Sequence, residues 1–367
     1  MRVLLLYLVL RLRFITSTPL NVQQGSGTFV GIRSLCDALR HLGVALDLVV
    51  PQVHLPVYTL ERVLFNETLF NETLRFHAGD IYDATVGFDL DGYRIAGREG
   101  HPHIASLKGV IADELRNESG MTRATMRVQA HFEAIHVQRA DAVICTSRYS
   151  AEAARDAYQL PQLPRIVPEL IDLAGWRSLL VGNPAAPEAG RFTVLSVCRF
   201  YPRKRPHLLL EAAAQLRSRI PRLSVRLVGN GPEAARLRAL HRDLNLADTV
   251  RFVGDVSREQ LAAEYNRADL FCLPSVQEGF GVVFLEAMAA GKPIVAARAA
   301  AIPEVVPHGV LVEPDNVEAL AAGIESLYRA PELCTAQAAA GSLWVEQFDA
   351  PRVAALFLDE VRQVRQF

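Results

Sequence analysis

Lysine is almost missing from this chain. Of 39 Lys+Arg in 367 residues only Lys108, Lys204 and Lys292 are lysines. A protein that writes its ordinary surface cations as arginine leaves three places where a compact ammonium stands instead. All three fall in loops after predicted strands. Cysteine is also scarce: Cys36, Cys145, Cys198, Cys272 and Cys334 lie far apart, with no Cys-x-x-Cys. An odd number without zinc spacing argues against a disulfide framework and a zinc module, and reads as buried reduced thiols in a cytoplasmic protein. The sequons at Asn66, Asn71 and Asn117 are then chance occurrences. Excess charge is absent as well. The net charge is −1, and the first 170 residues carry 17 basic against 18 acidic side chains. Nothing here argues for nucleic acid as a general partner or for a strongly basic half that docks on a membrane.

Long apolar runs are missing too. Residues 3–10 are apolar, but Arg11 and Arg13 follow at once and no small-residue cleavage site is present. The run is far short of the roughly 20 residues of a transmembrane helix, and it reads as a buried first strand rather than a signal peptide. After that strand there is no Gly-x-Gly-x-x-Gly with a downstream ribose acid, which argues against a dinucleotide dehydrogenase.

What is there is alternation. The length favours two domains. A strand at 3–10 leads through a polar loop, 16–28, containing Gln24-Gly25-Ser26-Gly27-Thr28, into a helix at 29–42 and a strand at 45–50. The glycines Gly25 and Gly27 suit close backbone approach to a phosphate or sugar, or simply a flexible surface loop. A helix at 58–76 holds a tandem Phe-Asn-Glu-Thr-Leu. Strands at 84–88, 103–107, 142–146 and 165–167 follow, with helices at 110–117 and 122–140 between them. Residues 173–190, with Gly182-Asn183-Pro184, change character and read as a linker. A second series then begins, with strands at 193–198, 224–228, 250–252, 269–273, 294–297 and 309–312. This pattern predicts two doubly wound parallel α/β domains, Rossmann-like, facing a central cleft. The first takes 1–172 and the second 191–345. An amphipathic helix, within 346–367, is expected to pack back on the first.

The richest stretch is 274–298. A strand runs into Glu278-Gly279-Phe280-Gly281, then a run of good helix formers reaching Glu286 and ending at Gly291-Lys292-Pro293. Open α/β sheets bind ligands beyond the carboxyl ends of their strands, and a helix start favours an anion. If both were helical, the two glutamates would be about 12 Å apart. That is too far for a retaining-hydrolase pair, which needs about 5 Å, but it fits gripping two ends of an extended ligand. Arg199 and Lys204 share one loop and can neutralise a diphosphate leaving group; a solvated basic turn is the plainer reading. Gly229 and Asn230 belong to a tight Gly-Asn-Gly turn. Asp89 and Asp91 end a strand, where turn chemistry with Gly92 competes with a site role. His101 and His103 lack a clustered third ligand, so no metal is expected.

These motifs together resemble the retaining GT-B glycosyltransferases of family 4, the glycosyl transferases group 1, over nearly the whole chain. The residues that carry the resemblance are Arg199 with Lys204, Val228-Gly229-Asn230-Gly231-Pro232, Phe252-Val253-Gly254, Pro274-Ser275, and Glu278-Gly279-Phe280-Gly281 through Glu286-Ala287-Met288-Ala289 to Gly291-Lys292-Pro293. The resemblance implies a nucleotide diphosphate-sugar donor, retention of anomeric configuration and no metal or other cofactor. It implies that Glu278 binds donor-sugar hydroxyls, with Gly279, Phe280, Gly281 and Val282 against sugar and diphosphate. Glu286 would take the ribose, Arg199 and Lys204 the diphosphate, and the backbone near Val253 the base. Gly25 and Gly27, with Gly229 and Asn230, join the donor side.

There is one departure. Where relatives carry histidine in a Thr-x-His-Gly-like context, this chain has Ser106-Leu107-Lys108-Gly109. Lys108 is therefore expected to act on a sugar hydroxyl or a phosphate oxygen. The catalytic set is Lys108, Asp91, Arg199, Lys204 and Glu278. Acceptor-side candidates are Asp89, Asp91, Arg148 and Glu169. Charge balance favours a soluble small-molecule or sugar acceptor, no nucleic acid partner and a cytoplasmic location. A lipid-linked or membrane-associated acceptor, a nucleotide-sugar epimerase or hydrolytic enzyme on the same scaffold, and a non-catalytic binding module are the alternatives.

Overall fold

The structure, a computed structural model, describes residues 10–18, 27–52, 55, 57–73, 82–98 and 102–364. The chain forms two compact units. One comprises the chain up to Pro168 together with the helix Ala350–Val364, and the other runs from Glu169 to Asp349.

The first unit is a six-stranded sheet of β1 (Arg11–Ile15), β2 (Ala45–Val49), β3 (Ala84–Phe88), β4 (His103–Leu107), β5 (Ala142–Cys145) and β6 (Arg165–Ile166). Every pairing is parallel and the order is β2-β1-β3-β4-β5-β6. The central strands β3 and β4 are buried at every residue, as expected when helices cover both faces of a parallel sheet. The strand expected at 3–10 lies outside the described residues apart from Leu10, and the first described strand is β1. Arginine explains why 11–15 was not read as a strand. Leu12 and Phe14 point into the core, while Arg13 reaches out to Asp47 at 2.8 Å and the Tyr82 hydroxyl at 2.6 Å. A partnered guanidinium is tolerated on a strand that its charge alone argues against. The helix Ala350–Val364 completes this unit: Phe357 packs edge-on to Phe14 at 5.9 Å, and Glu360 bonds Arg165 at 2.7 Å.

The second unit holds β7 (Phe192–Val197), β8 (Leu223–Val228), β9 (Val250–Gly254), β10 (Leu270–Leu273), β11 (Ile294–Ala297) and β12 (Val310–Val312). Its order is β12-β11-β10-β7-β8-β9, again all parallel. Strand order reverses between β7 and β10, and in the first unit between β1 and β3; ligands in such sheets sit beyond the carboxyl ends at that point. The stretch read as a linker, 173–190, opens instead on a helix, Leu173–Gly182, capped by Asp172, whose carboxylate accepts from the Gly175 amide at 2.9 Å. Trp176 anchors it, 1 % exposed, in a core cluster with Tyr265, Phe271 and Phe284. Among the described residues no helix is long and apolar enough to cross a membrane.

Of the five cysteines, Cys36, Cys145 and Cys272 are buried and free, whereas Cys198 and Cys334 are half-buried, so the expectation of full burial fails for two. Burial pushes the Cys36 thiol up to about 12. Asn66 is 1 % exposed and its amide donates inward, so in this fold that sequon offers no acceptor.

Candidate functional site

In the second unit the loops after β7 and β10, the two strands at the switch point, are stitched together. The Val276 amide donates to the Arg203 carbonyl at 2.9 Å, and the Ser275 hydroxyl donates to the same oxygen at 3.2 Å. Pro202–Lys204 forms a short 3-10 turn that Pro206 converts into a helix, Pro206–Leu216. The outcome is a direct bond from Lys204 Nζ to Glu278 Oε1 at 2.6 Å, with the side chains only 15 % and 7 % exposed. Arg199 stands nearby in sequence, one-third exposed, and its guanidinium approaches Asp255 at 3.9 Å. An ammonium and a carboxylate thus share one partly dry spot: the first suits a phosphate oxygen, the second a sugar hydroxyl.

The sequence motif around Gly281 folds for identifiable reasons. Gly281 caps the helix Val282–Ala289 with φ +93°, and a Cβ there would meet the Phe284 ring at 2.7 Å. No side chain caps this helix start. Phe280 is turned into the core against Phe348, ring centroids 5.4 Å apart, so its side chain is occupied in packing. Glu278 lies before the helix and Glu286 within it, so the 12 Å spacing computed for two helical residues does not apply. Gly229, φ +115°, brings the turn after β8 against the loop after β7: a Cβ would lie 2.1 Å from the Cys198 carbonyl oxygen. Protein backbone, rather than open space for a ligand, is what this glycine admits. Asn230 is exposed and its amide oxygen accepts from Gly231 at 2.9 Å. Val253 sits on β9, half-buried against the core.

Glu286 is 5 % exposed. Its Oε1 accepts from Arg258 at 2.7 Å, and its Oε2 lies 3.3 Å from the Tyr265 hydroxyl, which is also 3.1 Å from the Val283 carbonyl. Burial raises its carboxyl pKa, opposed by Arg258. Lys292, by contrast, is a turn residue. Its Nζ donates to the carbonyls of Ala268 at 2.8 Å and Asn266 at 3.3 Å, and burial lowers its pKa.

In the first unit the two aspartates after β3 have different fates. Asp91 is fully buried and its carboxylate accepts from the Ser17 amide (2.6 Å), the Ser17 hydroxyl (2.8 Å), Asn66 (2.9 Å) and Arg62 (3.3 Å). These donors account for a carboxylate's capacity. The catalytic role expected of Asp91 is therefore corrected: it ties the loop after β1 to the helix Tyr58–Thr73. Asp89 is the chemically distinct one. It takes a left-handed backbone, φ +54°, and its Oδ1 accepts from the Lys108 amide at 2.9 Å. Burial pushes its carboxyl up to about 6, against the pull of Arg62 3.8 Å away.

Lys108 is thus placed beside Asp89, with its ammonium 5.7 Å from the centre of the Phe88 ring. Arg148 lies on the surface in an ion pair with Glu152 at 3.0 Å. Glu169, expected on the acceptor side, is buried and opens the second unit. Gly27 begins the helix Gly27–His41, while Gly25 and His101 lie outside the described residues.

Sequence reasoning missed a buried chain behind Asp89. His136 Nδ1 lies 2.5 Å from the Asp89 carbonyl, His136 Nε2 lies 2.8 Å from His103 Nε2, and His103 Nδ1 lies 2.7 Å from the Thr85 hydroxyl. Burial holds both rings neutral, His136 down at about 4 and His103 well below the usual range. A carbonyl only accepts, so His136 carries its proton on Nδ1. His103 then donates from Nε2, and Thr85 donates to His103. His103 therefore partners His136. Among the described residues no group of three or more His, Cys, Asp or Glu side chains is placed to hold a metal ion. The i, i+4 spacing of Arg62 and Asn66 was visible in the sequence; the contact of His103 with a residue 33 positions away was not.

The comparisons agree with this architecture. Residues 183–344 match the family model for glycosyl transferases group 1. A GDP-mannose-dependent alpha-(1-6)-phosphatidylinositol monomannoside mannosyltransferase of Mycobacterium tuberculosis (strain CDC 1551 / Oshkosh) is 36 % identical over 165 residues, 42 % of this chain and 43 % of that one. A D-inositol 3-phosphate glycosyltransferase of Geodermatophilus obscurus is 36 % identical over 224 residues, 55 % of this chain and 48 % of that one. The chain thus spans less than half the length of these relatives. A solved structure, sucrose-phosphate synthase from Thermosynechococcus elongatus, superposes with TM-score 0.82 over 97 % of this chain and 99 % of that one at 23 % identity. Two parallel six-stranded sheets of this kind are the GT-B fold, and within it residues 183–344 match the model of the glycosyl transferases group 1 family.

Proposed function

We propose that this chain is a retaining, metal-independent glycosyltransferase that moves a sugar from a nucleotide diphosphate-sugar to a soluble small-molecule or sugar acceptor. The observation that carries the reading is the Lys204–Glu278 pair at the switch point of the second sheet, beside Arg199 and the uncapped start of the helix Val282–Ala289. Arg199, Lys204 and the helix-start amides neutralise the diphosphate as charge builds on it, which is electrostatic stabilisation of the transition state. Glu278 orients the donor sugar through its hydroxyls, and Glu286 accepts from the ribose. The departing phosphate oxygen takes the acceptor's proton on the same face of the sugar. Asp89 and Lys108 are the acceptor-side groups.

A second reading, a lipid-linked acceptor, draws on the similarity to a phosphatidylinositol monomannoside mannosyltransferase.

Thermal-shift measurements with nucleoside diphosphates and their sugars identify the donor; saturating ligand adds about 3 kcal/mol of stability. Product analysis with that donor then assigns the reaction. Transfer with retained anomeric configuration is expected, and Glu278→Ala and Lys204→Ala each lower turnover at least about a hundredfold. An epimer or free sugar formed without consumption of acceptor supports the epimerase or hydrolase alternative and refutes transfer. Unaffected turnover in both variants refutes the site.

A further inference from the structure

Glu286 is not a bare carboxylate on a helix. Around it stand three side chains from two other helices. Arg258, on the helix Arg258–Arg267, places Nη1 2.7 Å from Glu286 Oε1. Its guanidinium carbon lies over the Trp176 ring, 4.7 Å from the centroid. Trp176, on Leu173–Gly182, donates its indole N–H to the Glu286 backbone carbonyl at 3.1 Å and meets Tyr265 edge-on, with centroids 5.5 Å apart and planes at 89°. Tyr265, on the helix of Arg258, places its hydroxyl between the Val283 carbonyl, at 3.1 Å, and Glu286 Oε2, at 3.3 Å, so that one proton is shared between them. The arginine is thus fixed from below by an aromatic face, and that face is itself bonded to the residue the arginine holds.

Of the roughly four lone-pair directions of the Glu286 carboxylate, Arg258 takes one and the shared Tyr265 hydroxyl no more than one other. The remaining capacity matches a pair of neighbouring hydroxyls. A buried carboxylate with no cation beside it takes up a proton, and in doing so exchanges acceptor capacity for a donor. Arg258 is 37 % exposed in its side chain against 6 % for Glu286. The cation thus keeps contact with solvent while the carboxylate it pairs is dry, as suits a group that sets a buried carboxylate's charge and rotamer.

We propose that Arg258, seated on Trp176, is a positioning residue that keeps Glu286 an oriented hydroxyl acceptor and thereby makes the second unit select a ribose over a ribose lacking its 2′- and 3′-hydroxyls. This rests on the reading of Glu286 as the ribose contact of a nucleotide-sugar donor. It adds that the selectivity is held by a residue outside the 274–298 stretch.

The test uses the full chain and four probes: UDP, GDP and their 2′,3′-dideoxy counterparts. Dissociation constants are measured by calorimetry for the wild type, Arg258→Met and Arg258→Lys. The wild type is expected to prefer the ribonucleotide about tenfold or more, since hydrogen bonds to a charged acceptor are lost in the dideoxy form. Arg258→Met should lose most of that preference while its affinity for the dideoxy probe stays within about twofold. Arg258→Lys, which restores a cation but not the stacked plane, should recover part of it. A wild type that binds neither UDP nor GDP, nor any other nucleoside diphosphate in the thermal-shift screen, refutes the glycosyltransferase reading and this inference with it. A wild type that binds ribo and dideoxy forms equally leaves the enzyme reading standing and overturns the inference. So does an Arg258→Met protein that keeps its preference or weakens both ligands alike. If Arg258→Met does not fold, the decision passes to Arg258→Lys: an undiminished preference there overturns the proposal.

Discussion

At the scale of single residues the first unit carries a proton-ordered chain whose titration has a definite sign. His103 and His136 are neutral in the fold, while an unfolded histidine titrates near 6.5. The unfolded state therefore binds more protons between about 6.5 and the folded value of about 4 for His136. The contribution is present above pH 6.5 and is lost as pH falls through that window. Asp89 works the other way. Its folded pKa, raised to about 6, makes folding take up a proton as pH falls below 6. The histidine contribution is thus read as a difference between proteins. His136→Gln should show an unfolding free energy that falls less between pH 7 and pH 5 than the wild type's, by on the order of 2 kcal/mol. Denaturant titrations at the two pH values measure it, and parallel slopes in the two proteins would remove the chain from the stability account. None of this could be read from composition. Thr85, His103 and His136 look like unrelated residues, and Asp91, which reads as the reactive member of its pair, is the one whose oxygens are used up inside the protein.

At the scale of elements, what was legible depended on burial. β3 and β4 were found at their observed bounds because strands covered on both faces carry no exposed charge: both are mostly apolar, and their polar members Thr85, His103 and Ser106 are uncharged and buried as well. β1 was not, because partnered arginines interrupt the pattern. The helix Leu173–Gly182 hid behind two glycines and a Gly-Asn-Pro sequence, and its anchor, Trp176, finds its bonds 110 positions away at Glu286. The glycine turns were legible as turns but not as to what they admit. That difference has a measurable consequence at Gly229. Substitution by Ala forces a Cβ against the Cys198 carbonyl and demands a left-handed backbone, so the loops after β7 and β8 must separate. Gly229→Ala is expected to cost about 2 kcal/mol or more in stability. It should also weaken nucleoside diphosphate binding, because Arg199 and Lys204 ride on the displaced loop. A protein of wild-type melting temperature and affinity would contradict the close packing described for this turn.

At the scale of the whole molecule the two-sheet pattern was legible from alternation alone, since the twelve described strands, with helices in nearly every connection, leave few other arrangements. The division of the chain is subtler. The helix Ala350–Val364 belongs to the first unit by its contacts with Phe14 and Arg165. A chain truncated after Asp349 should therefore lose stability in the unit of β1–β6 and keep the nucleotide-dependent thermal shift of the unit of β7–β12. Loss of that shift on truncation would mean that the second unit does not fold on its own segment.

That same helix sets an order of events during synthesis. Residues 169–349 are continuous, so the later-encoded unit has every part it needs once they have left the ribosome. The earlier-encoded unit waits for residues 350–364, whose buried Val353, Phe357 and Val361 close over strands made hundreds of residues before. The usual amino-to-carboxyl sequence of domain maturation is thereby reversed. The half that emerges first stays open longest, with the apolar surface that will later seat this helix exposed to whatever chaperones meet it.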